Sequence, residues 1–189
     1  MSGPRKTLDD VLGDAQKWGT LGRRPVSEVI SHARQFLAPL VDCTGPVIDI
    51  GTGGGVPGLV IAVDRPDLRL VLTDRRATRM DALRRGVSAM GLTDRVSVVT
   101  ADVNHLGRNP DHVGRYGAVV SRGFGPPEET LRLATPLLAP GGMIVMSEPP
   151  ADQPDRWKKT ELLDELGFTL DRAFPGVAVF RLSKPSTQG

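Results

Sequence analysis

The chain has 189 residues, 39% of them hydrophobic, and its 24 Lys and Arg against 22 Asp and Glu leave a net charge of +2. That is the size and make-up of one ordinary globular domain, large enough to hold a core without disulfide or metal support. One cysteine, Cys43, and three scattered histidines, His32, His105 and His112, exclude an internal disulfide and a zinc site; the longest uncharged run, 15 residues from Leu133 to Ser147, is broken by two prolines and two glycines and is too short to cross a bilayer.

Residues 1–10 are polar and carry no apolar signal segment, so a cytoplasmic location and no membrane or metal partner are expected. Thr7 can cap a helix in which Leu8, Val11, Leu12 and Ala15 recur at helical spacing, with Trp18 following. A second helical stripe runs from Val26 through Val29, Ile30, Ala33, Phe36 and Leu37 to Leu40, ending near Pro39. After Gly45 the pattern changes to short apolar runs between helical segments, the signature of parallel strands buried on both faces. Strands are predicted at 47–50, 68–73, 96–99, 118–120, 143–146, 168–170 and 177–182. Met80, Leu83, Val87 and Met90 make one helical face between the second and third strands, with Gly91 placed as a left-handed cap. The last two strands have no helix between them and should pair antiparallel at an edge. The expected architecture is therefore α/β, a seven-stranded, mostly parallel sheet with helices on both faces. It divides into an N-terminal helical extension (1–45), the sheet domain (46–183) and a flexible tail (184–189).

Val47-Ile-Asp-Ile-Gly-Thr-Gly-Gly-Gly-Val-Pro-Gly58 carries the chemistry, because a buried strand runs straight into five glycines and then a helix. Glycines at 51, 53 and 55 allow positive φ and let a ligand approach the backbone, at the carboxyl end of a central strand. Gly53-x-Gly55-x-x-Gly58 also matches a dinucleotide fingerprint, but its first glycine comes three residues after the strand instead of immediately, and Asp49 would repel a pyrophosphate. Asp49-x-Gly51-x-Gly53-x-Gly55 resembles the first motif of class I S-adenosylmethionine-dependent methyltransferases, which have a Rossmann-like fold, and in them the strand-end acid faces the cofactor's cationic amino acid part. Asp74, 23 residues after Gly51, stands where a carboxylate accepts both ribose hydroxyls. By the same resemblance Asp102, after the third strand, lies where the adenine amino group is held. Thr52, Val103 and Ser121 complete the expected cofactor-binding set.

Several longer segments make the chain similar to one family, the bacterial small-subunit rRNA guanine-N7 methyltransferases, also called the glucose-inhibited division protein B family. The similarity covers roughly residues 20 to 148 and is carried by residues 49–58 with their Pro57-Gly58 ending, Arg65-Pro-Asp67, Leu72-Thr-Asp74, Val120-Ser-Arg-Gly-Phe124 and Pro140-Gly-Gly142. It implies S-adenosyl-L-methionine at Gly51, Gly53, Gly55 and Asp74, Arg122 as the catalytic residue at the substrate side, and RNA of the small ribosomal subunit as partner. The chain departs from the family in two places. Gln35 and Phe36 replace the Asp and Ser of a His-x-x-Asp-Ser pattern that begins at His32, and Glu148-Pro149 replaces a Lys-Gly pair.

Arg122 follows the fourth strand, where a guanidinium can offer two donors to guanine O6 or a phosphate, or pair with Asp49 or Asp102. No Asn/Asp-Pro-Pro-aromatic segment follows that strand, and Cys43 precedes the first, which argues against exocyclic-amine and cytosine-C5 chemistry. A ring nitrogen such as guanine N7 needs no general base. Residues 65–85 hold seven arginines against three aspartates, a solvated helix face or an RNA-phosphate patch. Trp157-Lys158-Lys159 can stack on and clamp a nucleic acid or serve a helix with a buried indole. A methyltransferase acting on another nucleic acid or a small molecule, and a non-catalytic cofactor-binding module, are the alternatives. Oligomeric state is left open by the sequence.

Overall fold

The computed structural model describes residues 5–148, 160–171 and 173–182. Its helices are α1 (Leu8–Lys17), α2 (Val26–Arg34), α3 (Gly58–Asp64), α4 (Ala77–Ala89), α5 (Val103–Leu106), α6 (Pro127–Ala134) and α7 (Thr160–Leu166). Its strands are β1 (Val47–Ile50), β2 (Leu70–Asp74), β3 (Val96–Thr100), β4 (Tyr116–Ser121), β5 (Leu138–Ser147), β6 (Phe168–Asp171) and β7 (Val177–Leu182). They form one sheet in the order β3-β2-β1-β4-β5-β7-β6, parallel from β3 to β5, with β7 antiparallel to both β5 and β6. Chain order reverses beside β1, whose neighbours are β2 and β4, and there an open α/β sheet leaves a crevice at its carboxyl edge.

Alternation along the strands divides the core in two. Val47, Leu70, Leu72, Ala118, Val120 and Val145 face α1 to α4, while Ile48, Ile50, Val119, Ile144 and Met146 face α5 to α7. Both faces are thus covered, as near-continuous apolar strands require. Leu12, Phe36 and Leu40 belong to the same apolar cluster as the sheet, so residues 8–40 share one core with β1 and α3. Losing a side chain such as Leu12, fully buried, is worth about 2–5 kcal/mol.

Local chemistry sets the ends of these elements. Thr7 and Asp10 form a reciprocal capping box at α1. Gly91, with φ +70°, ends α4 as expected. Gly86 gives α1 its close approach to α4, since a Cβ there would stand 2.6 Å from Val11 Cγ1. Arg65, capping α3, forks onto Asp67 at 2.8 and 2.7 Å and donates to the carbonyls of Leu40 and Cys43. The Arg65-Pro-Asp67 segment therefore bolts the N-terminal helices to the sheet.

The largest boundary differences from the sequence-based expectation lie in four elements. The second stripe is not one helix to Pro39; α2 stops at Arg34 and a 3-10 turn, Ala38–Leu40, carries the apolar positions onward. β2 starts at Leu70, because Leu68 is still held in a turn by Arg65 O, and it runs on to include Asp74. β4 begins at Tyr116. β5 begins at Leu138 despite Pro140-Gly141-Gly142, because residues 139–142 bulge out opposite Gly117 between the pairs Tyr116–Leu138 and Ala118–Met143. The tail and the Trp157-Lys158-Lys159 segment lie outside the described residues.

Candidate functional site

The glycine loop is fastened from below. Asp49, with no exposed surface, accepts Thr52 Oγ1 at 2.7 Å and the Gly58 N–H at 2.8 Å, both through Oδ2. Its other oxygen, Oδ1, is buried without a hydrogen-bond partner. Burial pushes this carboxyl up to about 7, against the opposing pull of Thr52, the Gly58 N–H and Arg122. Gly51, Gly53 and Gly55 have φ of +69°, +54° and +100°, the left-handed conformations for which glycine suits this turn. Gly58 serves a different end, since a Cβ there would collide with Leu72 and stand 2.8 Å from Asp49 Oδ2.

Above the loop, at the carboxyl ends of β1, β2 and β3, opens a cleft of about 430 Å³. Gly51, Asp74, Asp102 and Val103 line it, so the structure brings these four expected residues together. Asp49, Thr52 and Ser121 are buried, and they, like Gly53, Gly55 and Arg122, are not among its lining residues. Asp74 Oδ1 accepts the Arg76 N–H at 3.0 Å, which aims its carboxylate at the turn into α4. Asp102 caps α5 by accepting the Asn104 N–H at 2.9 Å, a bond that holds its carboxyl below the usual range. Ser121 donates to Ile50 O at 3.3 Å, tying the end of β4 to the end of β1.

Arg122 is partly buried, and among the described residues it makes no ion pair with Asp49 or Asp102. Burial draws its guanidinium down from the ordinary value, with Asp49 opposing that shift and Arg24 adding to it. Arg24 reaches this neighbourhood because Gln16 donates to the carbonyls of Gly22 and Arg24, bending residues 19–24 back over the loop. Gly54 permits the approach, since a Cβ there would lie 3.1 Å from Thr20 O and 3.2 Å from Leu21 Cβ.

Sequence reasoning missed several walls of the cleft. Phe124 covers the loop so closely that a Cβ on Gly51 would stand 2.5 Å from its ring, and Glu129 and Leu133 reach in from α6. The i, i+4 spacing of Glu129 and Leu133 could have flagged a shared helix face, whereas nothing local to them named the cleft. Gln35 and Glu148, one residue from each place where the chain departs from the family pattern, meet at one turn: the Glu148 N–H donates to Gly176 O at 2.9 Å, and a Cβ on Gly176 would collide with the Gln35 amide. A second, smaller hollow of about 200 Å³ lies between α1 and α4 and shares Arg79 with the cleft. Among the described residues no group of three or more His, Cys, Asp and Glu side chains could hold a metal ion, and no helix is long and apolar enough to cross a membrane.

Comparison with known proteins gives the same picture from another side. A family model described as GidB, rRNA small subunit methyltransferase G, matches residues 21–162. The ribosomal RNA small subunit methyltransferase G of Frankia casuarinae is 38% identical over 109 residues, 58% of this chain and 41% of that protein. The protein of the same name from Mycobacterium leprae is 38% identical over 109 residues, 58% of this chain and 43% of its own length. That of Synechococcus is 30% identical over 143 residues, 75% of this chain and 54% of its length. The chain thus spans about half the length of these relatives. Among solved structures, a putative S-adenosyl-L-methionine-dependent methyltransferase from Methanococcus maripaludis superposes with a TM-score of 0.65 at 16% identity, over 100% of both chains. The pyocyanin biosynthetic protein PhzM superposes with a TM-score of 0.62 at 22% identity, over 83% of this chain and 55% of its own. At such identities the likeness is one of fold.

Proposed function

The chain, matched over residues 21–162, belongs to the rRNA small subunit methyltransferase G family, and on that premise we propose that it transfers a methyl group from S-adenosyl-L-methionine to N7 of a guanine in small-subunit rRNA. The observation that carries the reading is the placement of Asp74 and Asp102 in one cleft with the bare backbone of Gly51. The residues present fit that cofactor. Asp74 would hold the ribose hydroxyls, Asp102 the adenine amino group, with Val103 and Leu133 as apolar lining, and Asp49, once ionised, would supply negative potential beneath the cationic end through its partnerless Oδ1. Thr52 and Ser121 hold Asp49 and the strand ends in place, and Gly53 and Gly55 keep the loop low.

When bound, the cofactor supplies a methyl group on a sulfonium already activated for in-line attack. What remains for the protein is to orient the acceptor and exclude water. Arg122 is assigned to the acceptor: among the described residues its guanidinium has no carboxylate within ion-pair distance, and it can offer two parallel donors to guanine O6 or to a phosphate. Phe124, two residues on, covers the loop and presents an apolar ring to that side of the cleft. Guanine N7 carries its own lone pair, so no side chain needs to take a proton before transfer. The domain reading that accompanies this one has residues 1–45 as a helical cap on a cofactor-binding domain, 46–183.

The test is transfer of label from S-adenosyl-L-methionine to unmodified small subunits, bare rRNA or a metabolite extract. Label in rRNA at a guanine, reduced by Arg122→Ala, supports the reading; label confined to small molecules rejects it.

A further inference from the structure

We propose that the groove between α1 and α4 docks single-stranded RNA, with one unstacked base lying on the Trp18 ring and neighbouring phosphates held by Arg79 and Arg85. The inference rests on the RNA-directed reading above and adds a binding surface outside the cofactor cleft.

Trp18 is the residue that calls for an explanation. It caps the carboxyl end of α1, whose buried face is made by Leu8, Val11, Leu12 and Ala15, yet Trp18 itself is 57% exposed. It takes no part in the apolar core. Arg85, exposed on α4, places its guanidinium carbon 5.8 Å from the ring centroid, a cation–π arrangement that keeps the indole at the mouth of the groove. The floor between them is made of small and apolar groups of α1 and α4, including Ala82.

Charge settles what such a surface suits. Of the residues lining the groove, Lys6, Arg79 and Arg85 are cationic and only Asp14 is anionic. Asp14 is already taken, at 2.6 Å by Lys6 and 3.3 Å by Lys17. Arg79 and Arg85 have no carboxylate partner among the described residues, whereas Arg84 beside them is spent on Asp81, Thr100 and Val98 O. A flat aromatic ring beside two unpaired guanidinium groups is the combination that binds single strands, stacking a base and tracking the backbone. Position completes the argument. Gly54 lines the groove and Gly51 lines the cleft, so the two hollows lie on either side of one loop, and Arg79 belongs to both. A strand seated on Trp18 is therefore delivered beside the cofactor loop.

The experiment uses the full chain in a Trp157→Phe background, which leaves Trp18 as the sole fluorophore of its kind. The probes are a mixed-sequence 12-nucleotide RNA, the same RNA as a duplex, and heparin as a polyanion without bases. The single strand should quench Trp18 fluorescence, and heparin should bind without quenching. Trp18→Ala should weaken single-strand binding about fivefold or more, Trp18→Phe should retain most of it, and S-adenosylhomocysteine affinity should stay unchanged in both. Arg85→Gln should lower the slope of log affinity against log salt by about one. Unchanged RNA affinity in Trp18→Ala, no quenching at saturating single strand, or equal quenching by heparin or duplex would each overturn the proposal. None of these readouts needs methyl transfer. Quenching by RNA in a protein that methylates no rRNA would keep this surface and remove the proposed reaction, while rRNA methylation with an unaltered KM in Trp18→Ala would do the reverse.

Discussion

Asp49 Oδ2 accepts the Gly58 N–H at 2.8 Å, so a single carboxylate joins the strand that opens the glycine loop to the helix that closes it. The bond is local in space and nine residues long in sequence. The shape of the loop therefore depends on an ionisable group that has no contact with solvent.

A pH dependence of stability follows from that burial. The Asp49 carboxyl moves from its ordinary 3.8 up to about 7 on folding, so the folded chain favours the protonated form. Its contribution is full below pH 3.8 and is lost as pH rises towards 7, where a buried anion must be carried. Asp49→Asn keeps an acceptor for Thr52 and Gly58 but cannot titrate. In ligand-free protein the stability of wild type relative to Asp49→Asn is expected to be greatest near pH 4 and to shrink by pH 8. Urea unfolding at four or five pH values checks this; a constant difference across the range would refute it.

Asp74 carries little structural load, its one side-chain bond among the described residues being to the Arg76 N–H at 3.0 Å. Asp74→Ala should leave Tm within a few degrees of wild type. It should weaken S-adenosylhomocysteine binding by about 1–3 kcal/mol, the usual worth of hydrogen bonds to a charged group. Calorimetric titration of both proteins decides it, and equal affinities would remove Asp74 from the ribose.

Arg122→Ala is expected to lower kcat on rRNA substrates by tenfold or more, with cofactor affinity nearly unchanged, because the guanidinium is assigned to the acceptor. With both substrates saturating, kcat should be flat from about pH 6.5 to 9, since guanine N7 needs no base. The titration near 7 belongs to Asp49 and should surface in the KM for the cofactor instead. A kcat that climbs tenfold per pH unit in that interval would show that a base takes part after all.

Arg65→Lys tests the bolt between the N-terminal helices and the sheet. Lysine keeps the charge but cannot fork onto Asp67 while also reaching the carbonyls of Leu40 and Cys43. A loss of about 1–3 kcal/mol of unfolding free energy is expected, chiefly from carbonyls left without donors. S-adenosylhomocysteine affinity should hold. Stability equal to wild type would mean that water replaces the guanidinium at no cost.

Features with a short period could be read before any coordinates. The cap at Thr7, the apolar face of α4 with its Gly91 stop, the β6–β7 edge hairpin and the left-handed glycines all follow from patterns within a few residues. Asp74, Asp102, Gly51 and Val103 meet in the cleft for the same reason, because strand ends in an open sheet converge by topology. What escaped depends on contacts between distant segments. The β5 bulge exists because Gly117 faces four residues of a partner strand, and α2 ends early because a 3-10 turn satisfies the same apolar stripe. Phe124 over Gly51, and residues 19–24 over Gly54, are matters of tertiary approach with no local mark. The orphaned Asp49 Oδ1 is likewise visible only once its surroundings are known.

Arg79 forms part of the wall of both hollows, with Nη1 placed so that a Cβ on Gly53 would stand 3.7 Å from it. One guanidinium cannot give its full field to two occupants at once. Whatever fills the cleft alters the potential felt in the groove, and the reverse holds by the same factor, because linkage between two equilibria is symmetric. An anionic strand drawing Arg79 towards α1 would relieve the cleft of a cation close to the site proposed for a positively charged cofactor. The demethylated product, neutral overall, would gain less from that relief. If both proposed occupants bind, the shared arginine would let a seated strand favour the methylated over the spent cofactor.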